Sequence, residues 1–246
     1  MLEQQKKIYF VSDAHLGMPD YKQSRNRERK LVEWLDTVKP QTEALYLLGD
    51  IFDFWYEWKR AIPRGFTRFL GKICEFTDSG IPVHFFTGNH DIWVYDYLAE
   101  ETGVIIHREP FEFAANGKSF YVAHGDGLGP GDRGFKILKK IFTNSFLQWS
   151  FSRLHPNFSL WLGNSWSVSR KYSQREVESY GEDELLVKYS RHVLESRHFD
   201  YFIYGHRHLP EVRSLKENSD YVNIGDWLTH FTFGEFDGEK LHLRKL

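Results

Sequence analysis

Five short apolar stretches, each followed at once by residue types that bind metals, constrain the fold of this chain most strongly. They are rich in β-branched and aromatic residues and span residues 8–11, 44–48, 82–86, 120–123 and 201–204. Runs of this length and composition predict buried β-strands. The polar residues that follow them are Asp13 and His15, Asp50 and Asp53, Asn89 and His90, His124, and His206 and His208. The sequence therefore predicts strands that carry similar chemistry at their carboxyl ends.

The segments between the first three predicted strands have helical spacing. Their apolar stripes consist of Leu31, Trp34, Leu35 and Val38, and of Phe66, Phe69, Leu70 and Ile73. Alternating strands and helices predict a βαβ core with parallel strands. Ligands bind at the carboxyl ends of such strands, so we expect the five polar clusters to converge there. After residue 204, strand-like pieces at 211–215, 221–224, 229–236 and 241–244 predict an antiparallel tail that completes a second sheet.

The donor types in these clusters indicate a metal site. Imidazole nitrogens, carboxylate oxygens and one amide oxygen form a mixed set that suits Mn²⁺, Fe²⁺, Co²⁺ or Zn²⁺. Cys74 is the single cysteine among 246 residues, which excludes a thiolate-rich site and favours a reducing compartment. We expect neither a signal peptide nor a transmembrane helix, because no stretch approaches the roughly 20 apolar residues of a membrane span.

A long segment without acidic side chains interrupts an otherwise acidic chain. Residues 133–175 carry eight Lys or Arg and no Asp or Glu, whereas the remainder carries 24 basic and 34 acidic residues. Two aromatic stripes at helical spacing lie in this segment: Leu138, Phe142, Phe146 and Trp149, then Phe158, Trp161, Leu162 and Trp166. Ordinary amphipathic helices packed on a core have the same pattern. The alternative is a cap whose apolar face meets lipid or an apolar substrate and whose basic residues meet phosphates.

The motifs SDAHLG, GDIFDFW, GNHD, HGD and GHRHLP, in this order between residues 12 and 210, resemble those of the calcineurin-like metallophosphoesterases. The resemblance implies an α/β fold, a two-sheet αββα sandwich, with a dinuclear metal centre. It places Asp13, His15, Asp50 and His208 on one ion and Asp50, Asn89, His124 and His206 on the other, with Asp50 bridging. We expect two divalent ions, with Mn²⁺ as the first choice.

Two cations about 3.5–4 Å apart can share a hydroxide, make it a nucleophile at neutral pH and bind the phosphoryl oxygens during in-line attack. His90 is then the expected general acid or electrostatic stabiliser. An Asp–His pair occurs in the family, and the resemblance implies that Asp53 orients the His90 imidazole in the same way.

Further details resemble the UDP-2,3-diacylglucosamine hydrolases of lipid A synthesis. They include HGDGL, the segment from Asp132 to Phe135, a helical insertion and GHxHxP. The resemblance implies a core of residues 1–128 and 177–246 with a cap insertion at 129–176. It also implies substrate contacts at Asn89, His90, Asp132, Arg133, Ser165, Ser169, Lys171 and His206. The best-known proteobacterial form has Arg and Glu where this chain has His90 and Asp53, which bears on the substrate but not on the hydrolytic mechanism.

The expected reaction is hydrolysis of the pyrophosphate of UDP-2,3-diacylglucosamine to UMP and 2,3-diacylglucosamine 1-phosphate. Two alternatives stay open: a metallophosphoesterase for a soluble nucleotide, phosphodiester or nucleic acid, and a scaffold without turnover. We expect a lipid-linked UDP-sugar as partner and no nucleic acid, because the body outside the basic segment is acidic. The cap predicts peripheral contact with the cytoplasmic face of the inner membrane. The sequence leaves the oligomeric state open.

Overall fold

The computed structural model describes residues 6–129, 133–169, 181–216 and 218–246. The strands, in chain order, are β1 (Lys7–Val11), β2 (Thr42–Leu47), β3 (Val83–Phe86), β4 (Ile105–His107), β5 (Phe111–Ala115), β6 (Lys118–Val122), β7 (Tyr201–Tyr204), β8 (Glu211–Ser214), β9 (Asp220–Asn223), β10 (Thr232–Phe236) and β11 (Leu241–Lys245). The α-helices are α1 (Tyr21–Val38), α2 (Thr67–Asp78), α3 (Tyr97–Thr102), α4 (Arg133–Phe142), α5 (Ser145–Ser152), α6 (Pro156–Ser169) and α7 (Leu185–Leu194).

The strands form two sheets. The first has the order β11-β10-β1-β2-β3-β4, and the second has the order β5-β6-β7-β9-β8. Strands β1 to β4 are parallel to one another, as the alternation of strand and helix predicts. In the second sheet, β6, β7 and β9 are parallel, and β5 and β8 pair antiparallel at the two edges.

Alternation of side chains along each strand divides the apolar residues into three layers. Phe10 and Tyr46 of the first sheet meet Phe120 and Ile203 of the second in the layer between the sheets. The opposite face of the first sheet packs against α1, α2 and α3, and that of the second packs against α7. This layering confirms the predicted αββα sandwich.

The prediction that the C-terminal strands complete the second sheet is wrong in part. Only β8 and β9 join that sheet, and β9 pairs parallel with β7. Strand β10 instead pairs antiparallel with β1, and β11 pairs with β10. All five residues of β10 are buried, so this strand requires a neighbour on both edges and cover on both faces. The first sheet provides both.

Helices α4, α5 and α6 lie in the predicted cap, and hydrogen bonds anchor α4 and α5 to the sandwich. Trp93 Nε1 donates to the Phe142 carbonyl and Tyr56 Oη to the Gln148 carbonyl, both at 2.8 Å. The predicted boundaries of the cap, 129 and 176, adjoin or fall among residues outside the described ranges, so the division stays a prediction. Among the helices that the structure describes, none is long and apolar enough to cross a membrane.

Candidate metal centre

The carboxyl ends of β1 and β7 bring Asp13, His15 and His208 together. Nε2 of His208 lies 3.2 Å from Oδ1 of Asp13, and Nε2 of His15 lies 3.8 Å from the same oxygen. All three side chains are buried. One donor atom from each lies within 4.8 Å of the others, a spacing at which three side chains can hold one ion.

A second cluster forms beside the first at the ends of β2, β6 and β7. It consists of Asp50, His124 and His206, and Nε2 of His124 lies 3.4 Å from Oδ2 of Asp50. The same Asp50 oxygen lies 3.8 Å from Nε2 of His15, so Asp50 stands between the two clusters. Asn89 follows β3, and the neighbouring His90 amide donates to Oδ1 of Asp50 at 2.8 Å. The structure therefore brings together the residues predicted to bind metal.

Buried donor atoms left without hydrogen bonds test whether this centre suits cations. Among the described residues, Oδ1 of Asp13, Oδ2 of Asp50, Oδ1 of Asn89 and Nε2 of His124 have no hydrogen-bond partner. An unsatisfied buried polar group costs about 1–3 kcal/mol, and more if it is charged. Four such atoms in one place fit divalent cations, because oxygen and imidazole donors would then be satisfied by coordination. Their role as ligands stays a prediction.

The backbone at this centre is strained where candidate ligands stand. Five candidate ligands have φ angles between 41° and 64°, in the left-handed region: Asp13, His15, Asp50, His206 and His208. Residues other than Gly seldom adopt this region, and such strain concentrates at functional sites. Gly88 makes one close approach possible, since a Cβ there would lie 2.6 Å from the Asp50 backbone nitrogen.

Carboxylates near the centre raise the pKa of two of its imidazoles. Burial lowers the pKa of His15, but the nearby carboxylates of Asp13 and Asp53 outweigh burial and raise this pKa to about 10. Burial also opposes protonation of His124, yet Asp50 raises the pKa of this imidazole to about 10. The carboxylates thus stabilise positive charge at both clusters, which is the condition for binding cations.

Asp91 holds the loops that carry two of the candidate ligands. Its carboxylate accepts hydrogen bonds from the backbone amides of Gly88, Asp50, Ile51 and Phe52, at distances from 2.7 to 3.3 Å. Burial, followed by the nearby Asp50 carboxylate, raises the pKa of Asp91 to about 7. Asp91 therefore fixes the loop after β2 against the loop after β3.

The imidazoles are oriented by acceptors behind them. Nδ1 of His15 lies 3.2 Å from Oδ1 of Asp53, and Nδ1 of His124 lies 2.7 Å from the Leu48 carbonyl. Such contacts fix the tautomer and present the other ring nitrogen to a metal. Asp226 contacts Nδ1 of His208 at 3.4 Å, and sequence reasoning missed it. A signal was available, because Asp226 follows β9 with the same apolar-run, Gly, Asp order that places Asp50 after β2.

His90 and Asp53 are adjacent, as predicted, but their closest contact differs from the expected carboxylate–imidazole pair. Nδ1 of His90 lies 2.8 Å from the Asp53 main-chain oxygen and 3.5 Å from its Oδ1. Burial lowers the pKa of His90. A catalytic role for either residue stays a prediction.

The predicted substrate contacts outside the centre are not assembled by the described part of the structure. Asp132 and Lys171 lie outside the described residues, and so do the side chains of Arg133 and Ser169. Ser165 is exposed on α6. Asn89, His90 and His206 are the members of that predicted set that lie at the centre.

An apolar cavity of about 280 Å³ extends from the centre to the cap. Asp53, Asn89 and His90 line it at the centre. The remaining wall is mostly apolar and combines sandwich and cap residues: Phe54, Ile92, Trp93, Leu138, Ile141, Phe142, Leu147, Gln148, Phe151, Leu162 and Gly163. The cavity is thus lined by both parts of the chain.

The predicted aromatic stripes of the cap are wrong in part. Helix α4 ends at Phe142, and Asn144 starts a new helix by accepting the Leu147 amide at 3.1 Å, so the first stripe does not share one helical face. Leu138 and Phe142 line the cavity. Phe146, Trp149 and Trp161 instead face solvent, with 67%, 54% and 61% of their side chains exposed. The Trp166 side chain lies outside the described part of the structure.

Comparison with known proteins identifies the family. The model of the calcineurin-like phosphoesterase family matches residues 6–210. The chain belongs to this family. It is a metal-dependent phosphoester hydrolase, and the resemblance found in its motifs is confirmed.

Curated relatives match over nearly the full length. A UDP-2,3-diacylglucosamine hydrolase from Porphyromonas gingivalis is 33% identical over 255 residues, covering 98% of this chain and 97% of the relative. A UDP-2,3-diacylglucosamine hydrolase from Shewanella pealeana is 26% identical over 89% of each chain. The likeness to the relatives therefore includes the cap region.

Solved structures resemble this chain more remotely. A phosphoesterase from E. coli has 15% sequence identity and a TM-score of 0.48, with 97% of this chain and 92% of that chain covered. A dimetal phosphatase from Danio rerio has 14% identity and a TM-score of 0.48, with 98% and 96% covered.

Proposed function

We propose that this protein hydrolyses the pyrophosphate of UDP-2,3-diacylglucosamine, releasing UMP and 2,3-diacylglucosamine 1-phosphate. The observation that carries the proposal is the apolar cavity that begins at Asn89 and His90 and continues under the cap. A lipid substrate requires a polar centre joined to an apolar cavity, because its phosphates must reach the hydrolytic centre while an acyl chain is buried away from water. The names of the relatives with matching length support the same substrate.

The cavity favours an acyl chain on energetic grounds. Its wall is almost wholly aliphatic and aromatic beyond Asp53, Asn89 and His90. Each methylene that moves from water into such a surface gains about 0.8 kcal/mol. The polar groups at one end then fix the orientation of the substrate, as in other ligand sites with few polar contacts.

Asp13, His15, Asp50 and His208 would hold one divalent cation, and Asp50, Asn89, His124 and His206 would hold the second. When bound, two such ions supply charge neutralisation at the phosphoryl oxygens and activation of the attacking water, with Mn²⁺ as our first choice. His90 lines the cavity beside them, and its Nδ1–H donates to the Asp53 main-chain oxygen. Nε2 of His90 would therefore be the ring nitrogen that gives a proton to the departing phosphate, a step that requires the doubly protonated imidazolium.

The outer face of the cap supports peripheral contact with an anionic membrane. Phe146, Trp149 and Trp161 are exposed on α5 and α6, and Arg153 lies over the Trp149 ring at 4.9 Å. Exposed aromatic side chains next to basic residues, in a segment without Asp or Glu, suit the boundary between headgroups and acyl chains. We place the protein on the cytoplasmic face of the inner membrane, where its substrate would be embedded.

The test compares two substrates that share the UDP-sugar and differ in the acyl chains. Purified protein with Mn²⁺ should release UMP from UDP-2,3-diacylglucosamine in detergent micelles and little from UDP-N-acetylglucosamine. Similar rates on both would contradict the lipid assignment and favour a soluble nucleotide substrate.

An Asn89→Ala variant provides the control for the centre itself. It removes one predicted metal ligand, whose Oδ1 has no hydrogen bond to lose among the described residues. We expect its rate on UDP-2,3-diacylglucosamine to fall at least tenfold with the fold retained by circular dichroism. A variant as active as the wild type would exclude the proposed site.

A further inference from the structure

Asp226 lies behind one of the candidate metal ligands, at the carboxyl end of β9. It is 3% exposed, and the amide of the next residue, Trp227, donates to the Asp13 carbonyl at 3.1 Å. The turn that holds Asp226 is therefore attached to the loop after β1. This places a buried carboxylate beside the Asp13 cluster without making it one of the cluster's predicted ligands.

The two oxygens of Asp226 have different partners. Oδ1 accepts hydrogen bonds from the backbone amides of Leu228, Thr229 and His230 at 3.1, 2.8 and 2.8 Å. Oδ2 faces Nδ1 of His208 and Nδ1 of His230, each at 3.4 Å. Three amides thus fix the rotation of the carboxylate, and this fixed rotation directs Oδ2 toward the imidazole of His208.

We propose that Asp226 is the positioning residue for His208, holding its imidazole in the tautomer that carries the proton on Nδ1. In that tautomer the lone pair lies on Nε2, the nitrogen 3.2 Å from Oδ1 of Asp13. A metal ligand requires this lone pair, since a protonated nitrogen cannot coordinate. The proposal rests on the proposed function in one respect, namely that the Asp13 cluster holds a divalent cation.

The Asp13 cluster then differs from its neighbour in the charge behind its imidazoles. His15 is backed by the Asp53 carboxylate and His208 by Asp226, whereas the acceptor behind His124 is the neutral carbonyl of Leu48. An anionic partner raises the basicity of the ligand more than a carbonyl does. Loss of Asp226 should therefore weaken one ion position and leave the other nearly unchanged.

Asp226→Asn is a sharp variant because it is nearly isosteric. The asparagine carbonyl can keep all three amide hydrogen bonds, which leaves the NH₂ group facing Nδ1 of His208. That NH₂ can only donate, so the variant favours the tautomer with the proton on Nε2. The substitution therefore reverses the tautomer while retaining the turn.

Asp237→Asn is a matched control at a position away from the candidate metal ligands. Oδ1 of Asp237 also accepts two turn amides, from Glu239 and Lys240, and Oδ2 also faces a histidine, with Nε2 of His242 at 2.8 Å. This aspartate has the same local design without a candidate ligand beside it. Its variant should bind Mn²⁺ as the wild type does.

The experiment titrates the metal-free full chain with Mn²⁺ alone and follows free Mn²⁺ by electron paramagnetic resonance. We expect the wild type to bind two ions, and Asp226→Asn to lose about 10- to 100-fold in affinity for one ion, with the other within about threefold. If Asp226→Asn does not fold, Asp226→Ser serves instead, because a hydroxyl can still accept a turn amide.

Equal affinities in the wild type and Asp226→Asn would overturn the positioning role and leave the proposed function intact. A wild-type protein that binds no Mn²⁺ would overturn both. A loss of affinity in Asp237→Asn as large as that in Asp226→Asn would also overturn the inference, since the effect would then not depend on His208.

Discussion

Asp53 meets His90 through its peptide oxygen, 2.8 Å from Nδ1, while its carboxylate lies 3.5 Å from that nitrogen. The carboxylate is closer to Nδ1 of the candidate ligand His15, at 3.2 Å. One residue therefore supports two imidazoles with two different groups. Only the contact to His15 depends strongly on the identity of the side chain.

Substitution of Asp53 should consequently affect metal binding more than proton transfer. We expect Asp53→Ala to need about 10- to 100-fold more Mn²⁺ for half-maximal activity and to recover much of its kcat when saturated. His90→Ala should instead lose about 10²- to 10⁴-fold in kcat at every metal concentration. The measurement is kcat as a function of free Mn²⁺. Saturated Asp53→Ala as slow as His90→Ala would show that the carboxylate acts on His90.

A methyl group at Gly205 should disrupt the Asp13 cluster. A Cβ there would lie 2.5 Å from Oδ2 of Asp13 and closer still to Oγ of Ser12. We expect Gly205→Ala to lower the free energy of unfolding, measured by urea titration, by about 1–3 kcal/mol. The variant should also lose most of the stabilisation that Mn²⁺ gives to the wild type.

Gly71→Ala is the matched control for this substitution. Gly71 lies in α2, with no described heavy atom within 4 Å of a Cβ, so this variant should be more stable by about 0.5–1 kcal/mol. A Gly205→Ala protein with wild-type stability and metal response would contradict the crowding argument.

Gly163 sets how closely α6 approaches the cavity wall. A Cβ at this position would lie 2.6 Å from Cζ of Phe54 and nearer to other atoms of the ring, so Gly163→Ala should push that ring into the cavity. We expect KM for the diacylated substrate to rise severalfold, with hydrolysis of bis(p-nitrophenyl) phosphate unchanged because it needs no acyl site.

Gly134→Ala, in α4, is the control, since no described heavy atom lies within 4 Å of its Cβ. Equal losses on both substrates would point to the centre instead of the cavity.

The histidine pair between β3 and β4 should make stability depend on pH. Nδ1 of His84 lies 2.8 Å from Nε2 of His107, and burial, with the neighbouring imidazole, lowers the pKa of His84 to about 4. The unfolded chain therefore binds more protons than the folded one between pH 6.5 and 4, so stability falls as the pH falls through this window. Because the site is partly solvated, we expect about 1–2 kcal/mol from this residue.

His84→Phe should remove that contribution and keep the stacking on Tyr46, where the rings lie 4.4 Å apart. Urea unfolding at pH 6.5 and pH 4.5 gives the measurement. Identical pH dependence in His84→Phe and the wild type would refute the assignment.

The sequence by itself determined the strands of the core and the types of donor at their ends. A buried strand is marked by a local run of apolar residues, and the carboxyl ends of parallel strands must share one edge of a sheet. The convergence of Asp13, Asp50, Asn89, His124 and His206 therefore followed from local signals together with one topological rule. The αββα layering was predicted through the resemblance that these same residues carry.

Only the tertiary structure decided which groups touch. The assignment of β10 to the first sheet depends on burial of both its faces, and the turn at Asn144 directs Phe146 and Trp149 outward. The carboxylate of Asp53 lies closer to His15 than to His90, and the carboxylate of Asp226 contacts His208, across 38 and 18 residues of chain respectively. Such contacts depend on differences of less than an ångström between alternative partners. These distances are set by packing of the whole sandwich, which no local pattern of residues encodes.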